Sequence, residues 1–319
     1  MFSTPTVVGD LLIVSSCNGL IRALDKKTGE VRWSYDIHKD GDQTEFHGDP
    51  LVTEKLIVIG TDGKMGHVYA FEWLTGAVRW KYRVGWRGLA SDVVRSGDNV
   101  YAVTLGDELV CLDLESGALK WSFRSSAPAK LFYWTSSPAV TGDRAYFGGL
   151  DGIAYAVDAR SGKLIWKTDL GARVSSSIAS RGRGIYVGTA NRHVYRMDAD
   201  SGKVLADLPV EAEPRWRLLV TNDSLLVFLG TQILASLDLS LKEVRWSARA
   251  SQDWTSARPY VWHDTVLAGD GDNLVAFRVS DGARGWSHQL SGMIRGIGVS
   301  GEVLYVGTRK GLIFAFAYR

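Results

Sequence analysis

Cysteine is almost missing from this chain. Its 319 residues hold two, Cys17 and Cys111, each isolated in sequence. That excludes a disulfide framework and suits free thiols in a reducing compartment. Long apolar runs are missing too, since no stretch approaches the about 18 continuous apolar residues of a membrane-spanning helix. The opening Met1-Phe2-Ser3-Thr4-Pro5 carries neither the basic segment nor the apolar stretch of a secretory leader. Together these predict a soluble, cytoplasmic chain without direct membrane insertion, although a mature periplasmic domain freed of its leader would read the same. A dominant charge is also absent: 37 Lys and Arg face 35 Asp and Glu, a net +2, which argues against a dedicated nucleic-acid binder. The sequence contains no HExxH, GxSxG, phosphate-loop GKS/T or CxxC pattern, so no catalytic residue is assigned.

Tryptophan and glycine, in contrast, are plentiful and periodic. Trp33, Trp80, Trp121, Trp166, Trp246 and Trp286 each close a short phrase, such as LDKKTGEVRW or VDARSGKLIW, that recurs every 40 to 47 residues. A seventh phrase, MDADSGKVLA, ends at Ala206 where the Trp is lost, and in the phrase before Trp246 Lys242 replaces the turn Gly. The units holding these two exceptions are expected to be softer. Periods of this length mark solenoids or propellers. Before each phrase lie two short β-branched or aromatic runs ended by Gly, Asp or Asn, such as Leu11 to Ser15 and Leu20 to Leu24. They read as strands joined by tight turns.

Each unit is therefore four antiparallel strands, A to D. Asp25, Asp113, Asp158, Asp198 and Asp238 open the C to D turn as hydrogen-bond acceptors. Gly29, Gly76, Gly117, Gly162, Gly202 and Gly282 supply positive φ at low steric cost. These acids sit one per unit and are read as turn residues, not as a metal or acid/base cluster. The six phrase tryptophans, on strand D, are read as structural contacts with the neighbouring unit.

The fold class expected is all-β: a single eight-bladed β-propeller over 1–319, with blades at about 4–37, 48–84, 89–124, 134–169, 174–209, 214–249, 254–289 and 293–319. The chain stops before an eighth TG turn, so the last blade is expected to be three-stranded with an open, aromatic edge from Leu312 to Tyr318. An N-terminal extension or a partner strand added to the edge are the other ways to close it.

The strands Ile185-Tyr-Val-Gly-Thr-Ala-Asn-Arg-His-Val-Tyr195 and Leu304-Tyr-Val-Gly-Thr-Arg-Lys-Gly-Leu-Ile-Phe314, followed by TG phrases, resemble the repeats of pyrroloquinoline-quinone-type β-propellers along essentially the whole chain. That family includes quinoprotein dehydrogenases, propeller lipoproteins of outer-membrane assembly and sensor propellers linked to kinases, so the resemblance fixes fold and not activity. A dehydrogenase of this kind implies a longer chain, adjacent cysteines beside the quinone, Glu, Asn and Asp ligands for calcium, and an Asp base. Neither adjacent cysteines nor long insertions are present, so no cofactor is expected, and the quinone with calcium is kept as the alternative.

The function expected is a non-catalytic binding platform or scaffold. A quinone-dependent dehydrogenase and a sensor domain of a larger signalling protein are the alternatives. In a four-stranded blade the D to A connections and B to C turns share one face. Trp86, Trp134, Trp216 and Trp254 are placed in D to A connections beside Arg87, Lys130, Phe132, Tyr133, Arg215, Arg217 and Arg258. The connection from Asp36 to Gly48 adds His38, Glu45 and His47, and the B to C turns add Lys64, Met65, His67, Arg192, His193, Arg309 and Lys310. Trp and Arg anchor interfaces well. The binding set is therefore Trp86, Arg87, Trp134, Arg215, Trp216, Arg217, Trp254 and Arg258, facing a protein, a peptide or a small anionic ligand. His38, His47, His67 and His193 show no ligand spacing and are read as solvated or hydrogen-bonded histidines, with no metal site.

Overall fold

The computed structural model describes residues 3–41, 45–126, 136–256 and 258–317, with the backbone alone for Lys64, Trp86 and Arg87. The chain folds as an all-β, eight-bladed β-propeller. Seven sheets have four antiparallel strands in sequential order, and the last, Ile294–Ser300, Val303–Thr308 and Ile313–Ala317, has three. One short 3-10 turn, Ile37–Asp40, interrupts the strands. Among the described residues no helix is long and apolar enough to cross a membrane.

Polarity follows strand position. The second strand of each blade is buried on both faces, as in Leu11–Ser15, Leu56–Gly60 and Ser224–Leu229. The outer strands alternate between exposed and half-buried positions, as in Val31–Asp36 and Leu164–Asp169. Charged side chains on these edges discourage unwanted strand pairing. The last outer strand, Ile313–Ala317, carries none.

The backbone separates into two compact units, Met1–Ser122 with Ser291–Arg319, and Phe123–Leu290. In the first, Trp33 Nε1 donates to the Trp73 carbonyl at 2.9 Å, and Trp80 Nε1 to the Leu114 carbonyl at 2.9 Å. In the second, Trp166 Nε1 donates to Ala199 O at 3.0 Å, and Trp246 Nε1 to Val279 O at 2.9 Å. Each indole thus reaches from strand D of one blade into the C to D turn of the next. A Cβ on the turn glycine would sit 2.5 to 2.6 Å from that indole at Gly76, Gly117, Gly202 and Gly282. These glycines, at φ of +70° or +71°, are required twice, by backbone conformation and by the approach of the ring. Trp286 differs, being 47% exposed.

Blade 2 departs from the short-strand expectation. Its outer strands run eleven residues each, Asp62–Glu72 and Val78–Gly88, and remain paired to the end, with Met65 opposite Trp86 and Gly63 opposite Arg87. Lys64, Met65 and His67 therefore lie in a strand, not in a turn.

Candidate functional site

The eight residues expected to bind a partner divide when placed in the fold. Trp86 and Arg87 belong to the long strand Val78–Gly88 and not to a connection. Trp134, with Lys130, Phe132 and Tyr133, lies outside the described residues. Trp254 is 2% exposed; its ring stacks on Phe228 at 5.7 Å and meets Phe277 edge-on at 6.1 Å. It is a core residue, a correction to its placement among the anchors. The apolar neighbours supplied by blades 6 and 7 outweigh the loop position that sequence alone showed.

Arg215, Trp216, Arg217 and Arg258 remain, all in the second unit. Strand A of blade 6, Pro214–Val220, pairs with Ser224–Leu229, but its register slips between Arg215 and Leu219. The slip forms a bulge of Trp216, Arg217 and Leu218, and Trp216 takes φ +59°. A non-glycine residue there carries strain of about 1–3 kcal/mol that its surroundings must hold. Ser177 does so: its N–H donates to the Trp216 carbonyl at 2.8 Å, and its Oγ accepts from the Leu218 N–H at 3.2 Å. The Trp216 ring rests edge-on against Phe228 at 5.6 Å and stays half-buried. Bulges of this kind re-aim side chains.

Acids order the cations around it. Glu213 bridges Arg173 at 2.5 Å and Arg215 at 3.2 Å, and Arg249 pairs with Glu211. Arg215 remains 44% exposed. The Arg258 guanidinium lies 5.8 Å from the centre of the Tyr260 ring. Trp216 thus stands half-buried in a pinned bulge between two arginines, one of them ordered by Glu213.

The first unit holds two groupings that sequence reading passed over. Asp40, at the end of the 3-10 turn, accepts from the hydroxyls of Tyr35 at 2.5 Å and Tyr69 at 3.0 Å, and from Lys81 Nζ at 2.9 Å. Burial works against the Asp40 charge, but these donors prevail and hold the carboxyl below its usual range. Close by in the same connection, His47 lies between two acids, with Nδ1 2.7 Å from Asp62 Oδ2 and Nε2 3.2 Å from Glu45 Oε2. Burial pushes the imidazole pKa down, but the Asp62 contact and the charge of Glu45 win and raise it. The other three histidines singled out in the sequence have local partners: His38 with Asp36, His67 with the Met65 carbonyl and His193 with Asp207. The only sequence hint of the His47 cluster was the Glu-Phe-His triplet, whose middle residue is fully buried.

Comparison with known proteins follows from this geometry. A family model described as "Outer membrane protein assembly factor BamB" (PQQ_2) matches residues 2–90, 64–215 and 134–297. The chain belongs to this family. A BamB from Yersinia pestis is 23% identical over 98% of the chain and 83% of its own length. The crystal structure of BamB from Moraxella catarrhalis superposes with a TM-score of 0.81 at 18% identity, covering 100% of this chain and 96% of that one, which shows the shared fold. A quinohemoprotein alcohol dehydrogenase from Pseudomonas putida is 32% identical, but over only 34% of this chain and 18% of its own.

The BamB-named relatives correct one expectation and support another. They are assembly factors for outer-membrane proteins, so the cytoplasmic placement is overturned. Isolated cysteines were a poor guide to compartment, because free thiols can be protected by burial anywhere. Here burial raises both Cys17 and Cys111 to about 11, leaving them inert thiols. Membership of this family supports a protein-binding propeller rather than an enzyme. Cys17 lies in the turn between the second and third strands of blade 1 and Cys111 in the strand Glu108–Asp113 of blade 3, so they are not the adjacent pair that a quinone dehydrogenase of this type implies.

Proposed function

We propose that the chain serves as a scaffold in outer-membrane protein assembly and holds a protein partner on the patch formed by Arg215, Trp216 and Arg217 with Arg258. The observation that carries this reading is the bulge at Trp216, a strained backbone pinned by Ser177 and flanked by two arginines. Strain kept in place at a surface of rigid blades suits a preset contact whose ordering cost on binding is small. Arg215 and Arg217 would meet acidic groups of the partner, and the exposed part of the Trp216 ring would supply apolar area.

The test is co-purification of outer-membrane assembly proteins from native cell envelopes. Arg215→Glu with Arg217→Glu, and separately Trp216→Ala, should each lower the affinity for the captured partner at least about tenfold, the cost of one lost anchor. Melting temperatures should stay near wild type. Equal capture by all three proteins would remove this patch from the reading.

A further inference from the structure

The cluster of Glu45, His47 and Asp62 has no part in the patch above, and its chemistry is of another kind. Glu45 and His47 are two residues apart, and their side chains converge on Asp62. Phe46 between them points inward and is fully buried, and its backbone N–H reaches the Ser16 carbonyl at 3.5 Å. Asp62 begins the long strand of blade 2, and its N–H donates to the Glu45 carbonyl at 3.1 Å. The three side chains are thus fixed by backbone before any ligand arrives. They are 32%, 14% and 16% exposed, and their donor atoms lie within 4.8 Å of one another.

We infer that Glu45, His47 and Asp62 form a binding site for a divalent transition-metal cation such as Zn2+. His47 Nε2 and Glu45 Oε2 are the direct ligands, and Asp62 holds the ring through Nδ1. The 3.2 Å between Nε2 and Oε2 is the separation of two donors each about 2.1 Å from one cation at an angle of about 100°. Asp62, 2.7 Å from the opposite ring nitrogen, stands where a carboxylate normally fixes the tautomer of a ligating histidine.

Charge favours the same occupant. Two half-buried carboxylates around one imidazole carry a net charge of −1 even when the ring is protonated, whereas a divalent cation beside the neutral ring balances both. One nitrogen with carboxylate oxygens suits Zn2+, Co2+ or Ni2+ better than Ca2+ or Mg2+, which prefer oxygen alone. Water would complete the coordination. A cation here would staple the connection from Asp36 to Gly48 onto the strand Asp62–Glu72. Cys17 borders the site closely enough to feel the charge of Glu45, but it lies outside the three-donor group.

The test is calorimetric titration of the full chain with Zn2+ at pH 7.5, paired with Co2+ absorption and thermal melts with and without Zn2+. Wild type should take up one cation, melt higher in its presence, and give a Co2+ spectrum free of thiolate charge-transfer bands. His47→Gln should abolish saturable binding, Glu45→Gln should weaken it by at least about tenfold, and Asp62→Asn should weaken it by about 10–100-fold. Cys17→Ser should bind as wild type does. The site is overturned if folded wild-type protein shows neither saturable binding nor a shifted melt. Binding that survives His47→Gln, or that is lost in Cys17→Ser, overturns it equally.

Discussion

Gly29 and Gly117 hold the same left-handed conformation in equivalent turns, φ +76° and +70°, but only Gly117 lies under an indole. A Cβ on Gly29 would meet nothing within 4 Å, whereas one on Gly117 would fall 2.5 Å from the Trp80 ring. Gly29→Ala should therefore cost about 1–2 kcal/mol, from backbone conformation alone. Gly117→Ala should cost about 1–3 kcal/mol more, from the clash. Urea midpoints of the two variants give the difference, and equal losses would show that the ring moves aside freely. The turn aspartates act at the same scale. Lys120, then Ser116, hold the Asp113 carboxyl at about 2, and hydrogen bonds likewise depress Asp25, Asp158 and Asp198. A lowered folded-state pKa contributes stability that is present above the unfolded value of about 3.9 and is lost as pH falls through the folded one. Thermal melts should therefore show no contribution from these groups to pH dependence between 6 and 8, and a decline from about pH 4 towards 2. Asp113→Asn should make that decline shallower.

At the scale of the blade, the two exceptions in the repeat turn out to be one. Ala206 is the strand D residue of blade 5 that lacks the indole, and the turn of blade 6 lacks the glycine such an indole would cover. There the left-handed residue is Leu241 at φ +56°, not Lys242, and Leu241 is 4% exposed in the same apolar cluster that Ala206 packs against. Sequence reading took the two changes as separate weak points. In the fold, a missing ring is matched by an apolar side chain turned inward. Ala206→Trp alone should destabilise by about 1–3 kcal/mol through overpacking. Adding Leu241→Gly should return part of that loss, with a coupling of at least about 0.5 kcal/mol in a double-mutant cycle. Simple additivity would show that the positions are independent.

For the molecule as a whole, nearly balanced charge leaves recognition to local patches. Association through Arg215 and Arg217 should slow as salt rises, with the on-rate falling about tenfold or more between low and high ionic strength while the off-rate changes less. Stopped-flow mixing with the captured partner measures both, and a salt-independent on-rate would argue against these arginines as steering groups. Compartment belongs to this scale as well. Composition suggested the cytoplasm, and only kinship with outer-membrane assembly factors corrected it.

Eight repeats, their four strands, the turn acids and glycines, and the three-stranded last blade were all legible in the sequence, because each rests on local chemistry repeated at a fixed period. The candidate sites were legible only in part. Trp216 and its arginines could be named from residue type, but they lie in strand A of blade 6 and not in the connection expected, and their strained bulge depends on Ser177 in the neighbouring blade. Trp254 carried the same surface signal and proved to be core, since burial depends on what two blades place around it. Glu45, His47 and Asp62 show no spacing a pattern could catch. They meet because a buried phenylalanine and one backbone hydrogen bond bring a connection against the next blade. Period and turn chemistry act between near neighbours in the chain and are written there, whereas contacts between blades exist only once the sheets have packed.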